Sequence, residues 1–126
     1  MAQSEIRDRF GALEQLLPGY FIGYGDATVA SAVAGLLTAA GSTLAVAESC
    51  TGGAIASAFT AMPGASEYFL CGVVSYSNES KSDVLGVAPD AIAEHGAVSR
   101  EVAEQMALGV KRVGKSDYAI STTGVA

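Results

Sequence analysis

A single histidine, His95, and two cysteines, Cys50 and Cys71, are the only imidazole and thiol groups in 126 residues. A zinc site needs about four ligands of that kind, so no metal site is expected. Two cysteines are also too few for a disulfide framework, and reduced thiols in a cytosolic setting are the expectation. Basic residues are scarce as well: seven Lys and Arg against thirteen Asp and Glu leave a net charge of −6 and an isoelectric point near 4.5. Proteins that grip nucleic acid neutralise its phosphates with a basic face, so nucleic acid is not an expected partner. The segment Met1 to Arg9 has neither the apolar stretch nor the small-residue cleavage site of a signal peptide, which makes the cytoplasm the expected location. Charge is missing from Ala27 to Ala47, a run about as long as the ~20 residues that span a bilayer. The run consists mainly of Ala, Ser, Thr and Gly and is divided at Gly41-Ser42-Thr43, so a membrane span is not expected.

What the chain does have is apolar residues, half of the total, with a mean hydropathy of +0.36. One domain of this size buries roughly two-thirds of the surface that its unfolded chain exposes. Ile6, Phe10, Leu13 and Leu17 recur at helical spacing up to Pro18-Gly19 and predict an amphipathic leader helix. Asp26 is placed to cap a second helix over about Ala27 to Ala40, which Gly41 ends. Thr43 to Glu48 reads as a buried strand, followed by a glycine turn and a helix to about Met62, before Pro63-Gly64. A second strand over about Tyr68 to Tyr76 leads to a short helix holding Lys81, Val84 and Leu85. Pro89 opens another short helix, ending near Gly96. Ser99 caps a longer one with the apolar stripe Val102, Met106, Val110 and Val113, and Asp117 to Thr122 supplies a third strand. Alternating strands and helices predict a layered α/β/α fold with a mostly parallel sheet, in which ligands gather beyond the carboxyl ends of the strands.

Three strand ends carry small or hydroxyl-bearing residues, and parallel strands would bring them to one edge. Ser49-Cys50-Thr51-Gly52-Gly53 puts two hydroxyls, a thiol and two glycines where a helix begins. The free N–H groups of a helix start can hold an anion or a developing oxyanion. The same residues also suit an ordinary capped turn. A nucleophilic serine needs a base, and Lys81, the only cation between Arg9 and Arg100, can serve if it is held unprotonated. Tyr76 nearby would relay or steady the proton. The bland alternative is a solvated helix lysine beside Glu79 and Asp83. A Cys50–His95 pair is the rival chemistry, although a histidine before Gly96 is also common at a helix end. Cys71, among Leu70, Gly72, Val73 and Val74, reads as core. Glu48 reads either as a buried acid or as a hydrogen-bonded anchor for the turn.

Ala47-Glu48-Ser49-Cys50-Thr51-Gly52-Gly53, Tyr76-Ser77-Asn78-Glu79-Ser80-Lys81, Gly96-Ala97-Val98-Ser99 and Thr122-Thr123-Gly124-Val125-Ala126 together resemble the C-terminal domain of the competence/damage-inducible CinA family. The resemblance spans about Thr43 to Ala126, and residues 1–42 resemble the helical junction that precedes this domain in longer members. It implies a nicotinamide-nucleotide amidohydrolase that converts nicotinamide mononucleotide and water into nicotinate mononucleotide and ammonia, without a cofactor or a catalytic metal. In that picture Ser49 attacks the carboxamide carbon, Lys81 takes and returns the proton, and Tyr76 supports the transfer. Thr51, Gly52, Gly53, Thr123 and Gly124 fall on positions expected to line the substrate site. Members of the family continue past the Thr-Gly-Val-Ala stretch through a Gly/Pro-rich loop and further strands. A sheet incomplete at its C-terminal end and a substrate site short of part of its cradle are therefore expected. An open edge strand invites pairing with another chain, and a homo-oligomer is expected. A non-catalytic binding or assembly module is the alternative function.

Overall fold

A computed structural model describes residues 2–125. Helix α1 (Ala2–Leu16) is followed by α2 (Val29–Ala40), strand β1 (Leu44–Glu48), α3 (Ala54–Thr60), a short 3-10 turn (Ala65–Glu67) and β2 (Phe69–Val74). Then come α4 (Asn78–Leu85), α5 (Pro89–His95), α6 (Arg100–Gly114) and β3 (Tyr118–Ser121). The strands form a three-stranded sheet in the order β2-β1-β3, and both pairings are parallel. The fold is thus of the expected α/β type. No helix among the described residues is long and apolar enough to cross a membrane.

β1 is the central strand, and all five of its residues are buried, which is why it reads as an unbroken run and not as an alternating one. Alternate side chains still go to opposite faces. Ala45 and Ala47 meet Leu85, Val87, Val102, Met106 and Val110 in one core, while Leu44 and Val46 meet Ala34, Leu37, Phe59 and Tyr68 in the other. α6 thus covers one face together with α4, and α2 and α3 cover the opposite face. On the α6 side, the close approach to α4 depends on Gly109. A Cβ added there would collide with the Leu85 backbone carbonyl. Gly109→Ala is therefore expected to destabilise the protein by about 2–4 kcal/mol despite alanine's better helix propensity, as read from urea unfolding.

Several boundaries differ from the sequence expectation, β1 and β3 by single residues and three other elements by more. α2 is capped by Thr28 in place of Asp26: the Thr28 hydroxyl accepts from the Ser31 N–H at 3.1 Å, and the Ser31 hydroxyl accepts from the Thr28 N–H at 2.9 Å. That reciprocal pair satisfies two orphan groups at once, and Asp26 lies too far upstream to do so. α3 stops at Thr60, short of Met62. β2 is shorter at both ends. Tyr68 is drawn into the core, where its hydroxyl donates to the Phe59 carbonyl at 2.8 Å, while the carbonyls of Ser75 and Tyr76 turn from the ladder to the site described next.

Candidate active site at the carboxyl edge of the sheet

The chain leaves β1 towards α3 on one face and leaves the adjacent β2 towards α4 on the other. Connections that part in this way open a crevice outside the carboxyl ends of the two strands. The pleat sorts the residues at the end of β1 between the two sides. Glu48 continues the Leu44 and Val46 face and turns to α3, whereas Ser49 follows the Ala45 and Ala47 face and meets α4.

Glu48 is 1% exposed. Its Oε2 accepts from the N–H groups of Gly53 at 3.1 Å and Ile55 at 3.0 Å, and its Oε1 accepts from Ala56 at 2.7 Å. Burial pushes its pKa up, but the Thr51 side chain and the three backbone N–H groups outweigh this and hold it below the ordinary glutamate value. The carboxylate caps α3 from within the preceding strand. Gly52 and Gly53 make this possible by both taking positive φ, 60° and 105°, a curl that L side chains rarely adopt. Glu48 is thus the hydrogen-bonded anchor of the two sequence readings. The expectation of a free anion site at the start of α3 needs correction, since the protein's own carboxylate fills it. Gly52 donates to the Ser49 carbonyl and Ala54 to that of Thr51, which leaves the N–H groups of Cys50 and Thr51 without a hydrogen bond among the described residues.

On the other side, Lys81 is 1% exposed and is the largest fully buried side chain described. Ser77 caps α4 by accepting from the Ser80 N–H, so Lys81 lies just after the first turn. Helical side chains lean towards the N-terminus, which carries this one back to the sheet edge. There its Nζ donates to the Ser75 carbonyl at 2.8 Å, to the Tyr76 carbonyl at 3.3 Å and to Ser49 Oγ at 3.1 Å. No carboxylate pairs with it among the described residues. Burial lowers its pKa below the ordinary lysine value, with the neighbouring Cys50 side chain acting in the opposite direction. The solvated-lysine alternative is therefore excluded by position. A neutral amine at this spot gives its two N–H bonds to the two carbonyls and turns its lone pair to the Ser49 hydroxyl, an arrangement suited to proton abstraction.

The remaining sequence candidates fall into place around this pair. Tyr76 touches Lys81 through its main-chain carbonyl, while its ring is two-thirds exposed and its phenol makes no hydrogen bond among the described residues. Thr51 Oγ1 lies 2.8 Å from Thr122 Oγ1, which ties the turn after β1 to the end of β3. The Thr123 hydroxyl is spent on the Ala97 carbonyl at 2.7 Å, joining the segment ahead of α6 to the same edge. Gly124 packs against Cys50, with room for no side chain: a Cβ there would stand 2.9 Å from Cys50 Sγ. His95 is exposed at the end of α5, with Glu94 as its charged neighbour at 3.8 Å, and forms no hydrogen bond with Cys50. Cys71 is half-buried against the α6 core, as expected. Two residues escaped the sequence reading. Both lie in the hydroxyl-bearing strand ends noted in the sequence, Ser75 at the end of the second strand and Thr122 at the end of the third, but neither had a role of its own there.

Comparison with known proteins finds relatives over most of the chain. Residues 26–126 match the family model described as the CinA C-terminal domain. A CinA-like protein of Synechococcus sp. (strain CC9311) is 48% identical over 124 residues, which cover 98% of this chain and 28% of that protein. One from Geobacter sp. (strain M21) is 49% identical over 125 residues, covering 99% and 28%. The chain thus spans less than a third of the length of these relatives. Among solved structures, the competence/damage inducible protein CihA from Agrobacterium tumefaciens superposes with a TM-score of 0.74 at 40% identity, over 76% of this chain and 58% of that one. The competence-damaged protein (CinA) superfamily protein from Escherichia coli gives 0.75 at 32% identity, over 82% and 62%.

Proposed function

The chain belongs to the CinA C-terminal domain family, and on that premise we propose that its site hydrolyses the carboxamide of nicotinamide mononucleotide to nicotinate mononucleotide and ammonia. The observation that carries this reading is a buried lysine amine, unpaired with any carboxylate among the described residues, 3.1 Å from the hydroxyl of Ser49. Ser49 Oγ attacks the carboxamide carbon as its proton passes to Lys81 Nζ. The carbonyl oxygen takes up the negative charge and accepts from the N–H groups of Cys50 and Thr51. Lys81 then returns the proton to the amide nitrogen, the C–N bond breaks and ammonia departs. A water molecule attacks the acyl-serine, again losing a proton to Lys81, and that proton returns to Ser49 Oγ as the carboxylate leaves. In this reading Tyr76 flanks the transfer, while Thr51, Gly52, Gly53, Thr123 and Gly124 shape the substrate wall. The same reading takes a small-molecule pyridine nucleotide as the only partner besides a second copy of the chain in a homo-oligomer, with no cofactor or metal.

Incubation with nicotinamide mononucleotide is expected to release one ammonia per nicotinate mononucleotide, and Ser49→Ala is expected to lower kcat by at least about 10³-fold without a change in thermal unfolding. Cys50→Ala should retain turnover, because the attacking atom is the serine oxygen. A folded protein that binds the nucleotide and releases no ammonia would instead favour the non-catalytic module.

A further inference from the structure

Ser75 is fully buried, and its Oγ is the one buried side-chain polar atom without a hydrogen-bond partner among the described residues. Its backbone, in contrast, is held at both ends. The N–H donates to the Glu48 carbonyl at 2.8 Å, and the carbonyl accepts from Lys81 Nζ at 2.8 Å. An orphaned buried hydroxyl costs about 1–3 kcal/mol, which calls for a compensating role. Covalent geometry keeps a serine Oγ within roughly 3–5 Å of its own carbonyl oxygen, so a change of χ1 can turn it towards an amine held by that oxygen.

The need for such a group follows from counting N–H bonds. Neutral Lys81 has two, and the Ser75 and Tyr76 carbonyls take both. The ammonium has three, and at rest the third goes to Ser49 Oγ. Once Ser49 Oγ is bonded to the substrate carbon it becomes an ester-like oxygen and a poor acceptor, just when Lys81 carries the extra proton. We infer that the Ser75 hydroxyl is a positioning residue for Lys81, accepting the third N–H of the ammonium while Ser49 is bonded to substrate. No atom is transferred to Ser75: it receives a hydrogen bond as the proton arrives on Nζ and loses it as the proton leaves. This deepens the serine–lysine reading of the site and rests on it.

Few other charges bear on Lys81. Cys50 is the titratable group that reaches it, and Glu48 is turned to α3. Glu79 and Asp83 on α4, Asp90 and His95 on α5 and Glu101 on α6 are all exposed.

The test is the Lys81 titration, followed without substrate by the NMR shift of its labelled Cε, assigned by the signal lost in Lys81→Arg. Ser49→Ala mimics the state in which the serine oxygen is unavailable. In that background, adding Ser75→Ala is expected to lower the Lys81 midpoint by about one pH unit, a tenfold loss of preference for the ammonium. With Ser49 intact, Ser75→Ala should lower kcat by roughly 10–100-fold with little change in KM. An unchanged midpoint in the double variant overturns the proposal. If Ser75→Ala does not fold, Ser75→Cys, close in volume but a weak acceptor, gives the same reading. Because the titration uses no substrate, its outcome is independent of whether nicotinamide mononucleotide is the substrate.

Discussion

Lys81→Arg is expected to abolish turnover, by about 10³-fold or more in kcat, even though it keeps a positive side chain at the site. A guanidinium stays protonated at any working pH, so it has no lone pair to offer the Ser49 hydroxyl. Lys81→Met should give a similar loss, which separates a need for a base from a need for charge. In the unaltered protein, kcat/KM should fall tenfold per pH unit on the acid side, where Lys81 becomes protonated, with a midpoint below the ordinary lysine value of about 10.4. His95→Ala should leave that limb in place, since the imidazole is exposed and bonds to neither Ser49 nor Cys50. An acid limb that vanishes with His95 would overturn the assignment of the base. The same lowered pKa has a consequence for folding. Between it and about 10.4 the unfolded chain holds a proton that the native protein has released, so stability should rise with pH across that interval. Lys81→Met should flatten the slope, as read from urea midpoints at several pH values.

Glu48→Ala is expected to cost about 3–5 kcal/mol, a large share of the ~5–15 kcal/mol that separates most native domains from their unfolded chains. The loss goes beyond one side chain. Three part-buried backbone N–H groups at the start of α3 lose their acceptor, and the turn that presents Ser49 loses its anchor. Glu48→Gln keeps one oxygen but points an NH₂ group at N–H donors, and about 2 kcal/mol is expected to be lost. Because the folded pKa of Glu48 lies below its unfolded value of about 4.3, its contribution is complete above that value. It is lost as pH falls through the folded pKa. Urea unfolding should show this acid decline in the unaltered protein and a shallower one in Glu48→Gln. A decline of equal depth in both would mean that other carboxylates dominate.

Much of the fold was legible because its signals are local. The apolar stripe of α6, the buried run of β1 and the glycines at turns depend on neighbours a few residues away, and each appears close to its expected place. The boundaries that moved were decided elsewhere. β2 ends at Val74 because Ser75 and Tyr76 give their carbonyls to a lysine on the next helix. Thr28 overrides Asp26 because a reciprocal cap needs its partner three residues on.

The site divides in the same way. A serine at a strand end and an isolated lysine made Ser49 and Lys81 candidates in the chain itself, but an ordinary capped turn and a solvated lysine fitted the same residues, and their paired roles came from the family resemblance. Whether that lysine meets solvent or the serine depends on the chain between two residues 32 positions apart folding back so that two parallel strands lie side by side. The parity of β1 assigns Glu48 to one face and Ser49 to the other, so the carboxylate caps a helix and leaves the amine unpaired. Composition by itself determined that the chain carries one imidazole, two thiols and a net charge of −6. The tertiary structure alone decided which buried groups are satisfied and which, like Ser75 Oγ, are not, because hydrogen-bond partners far apart in sequence are set only when the layers close.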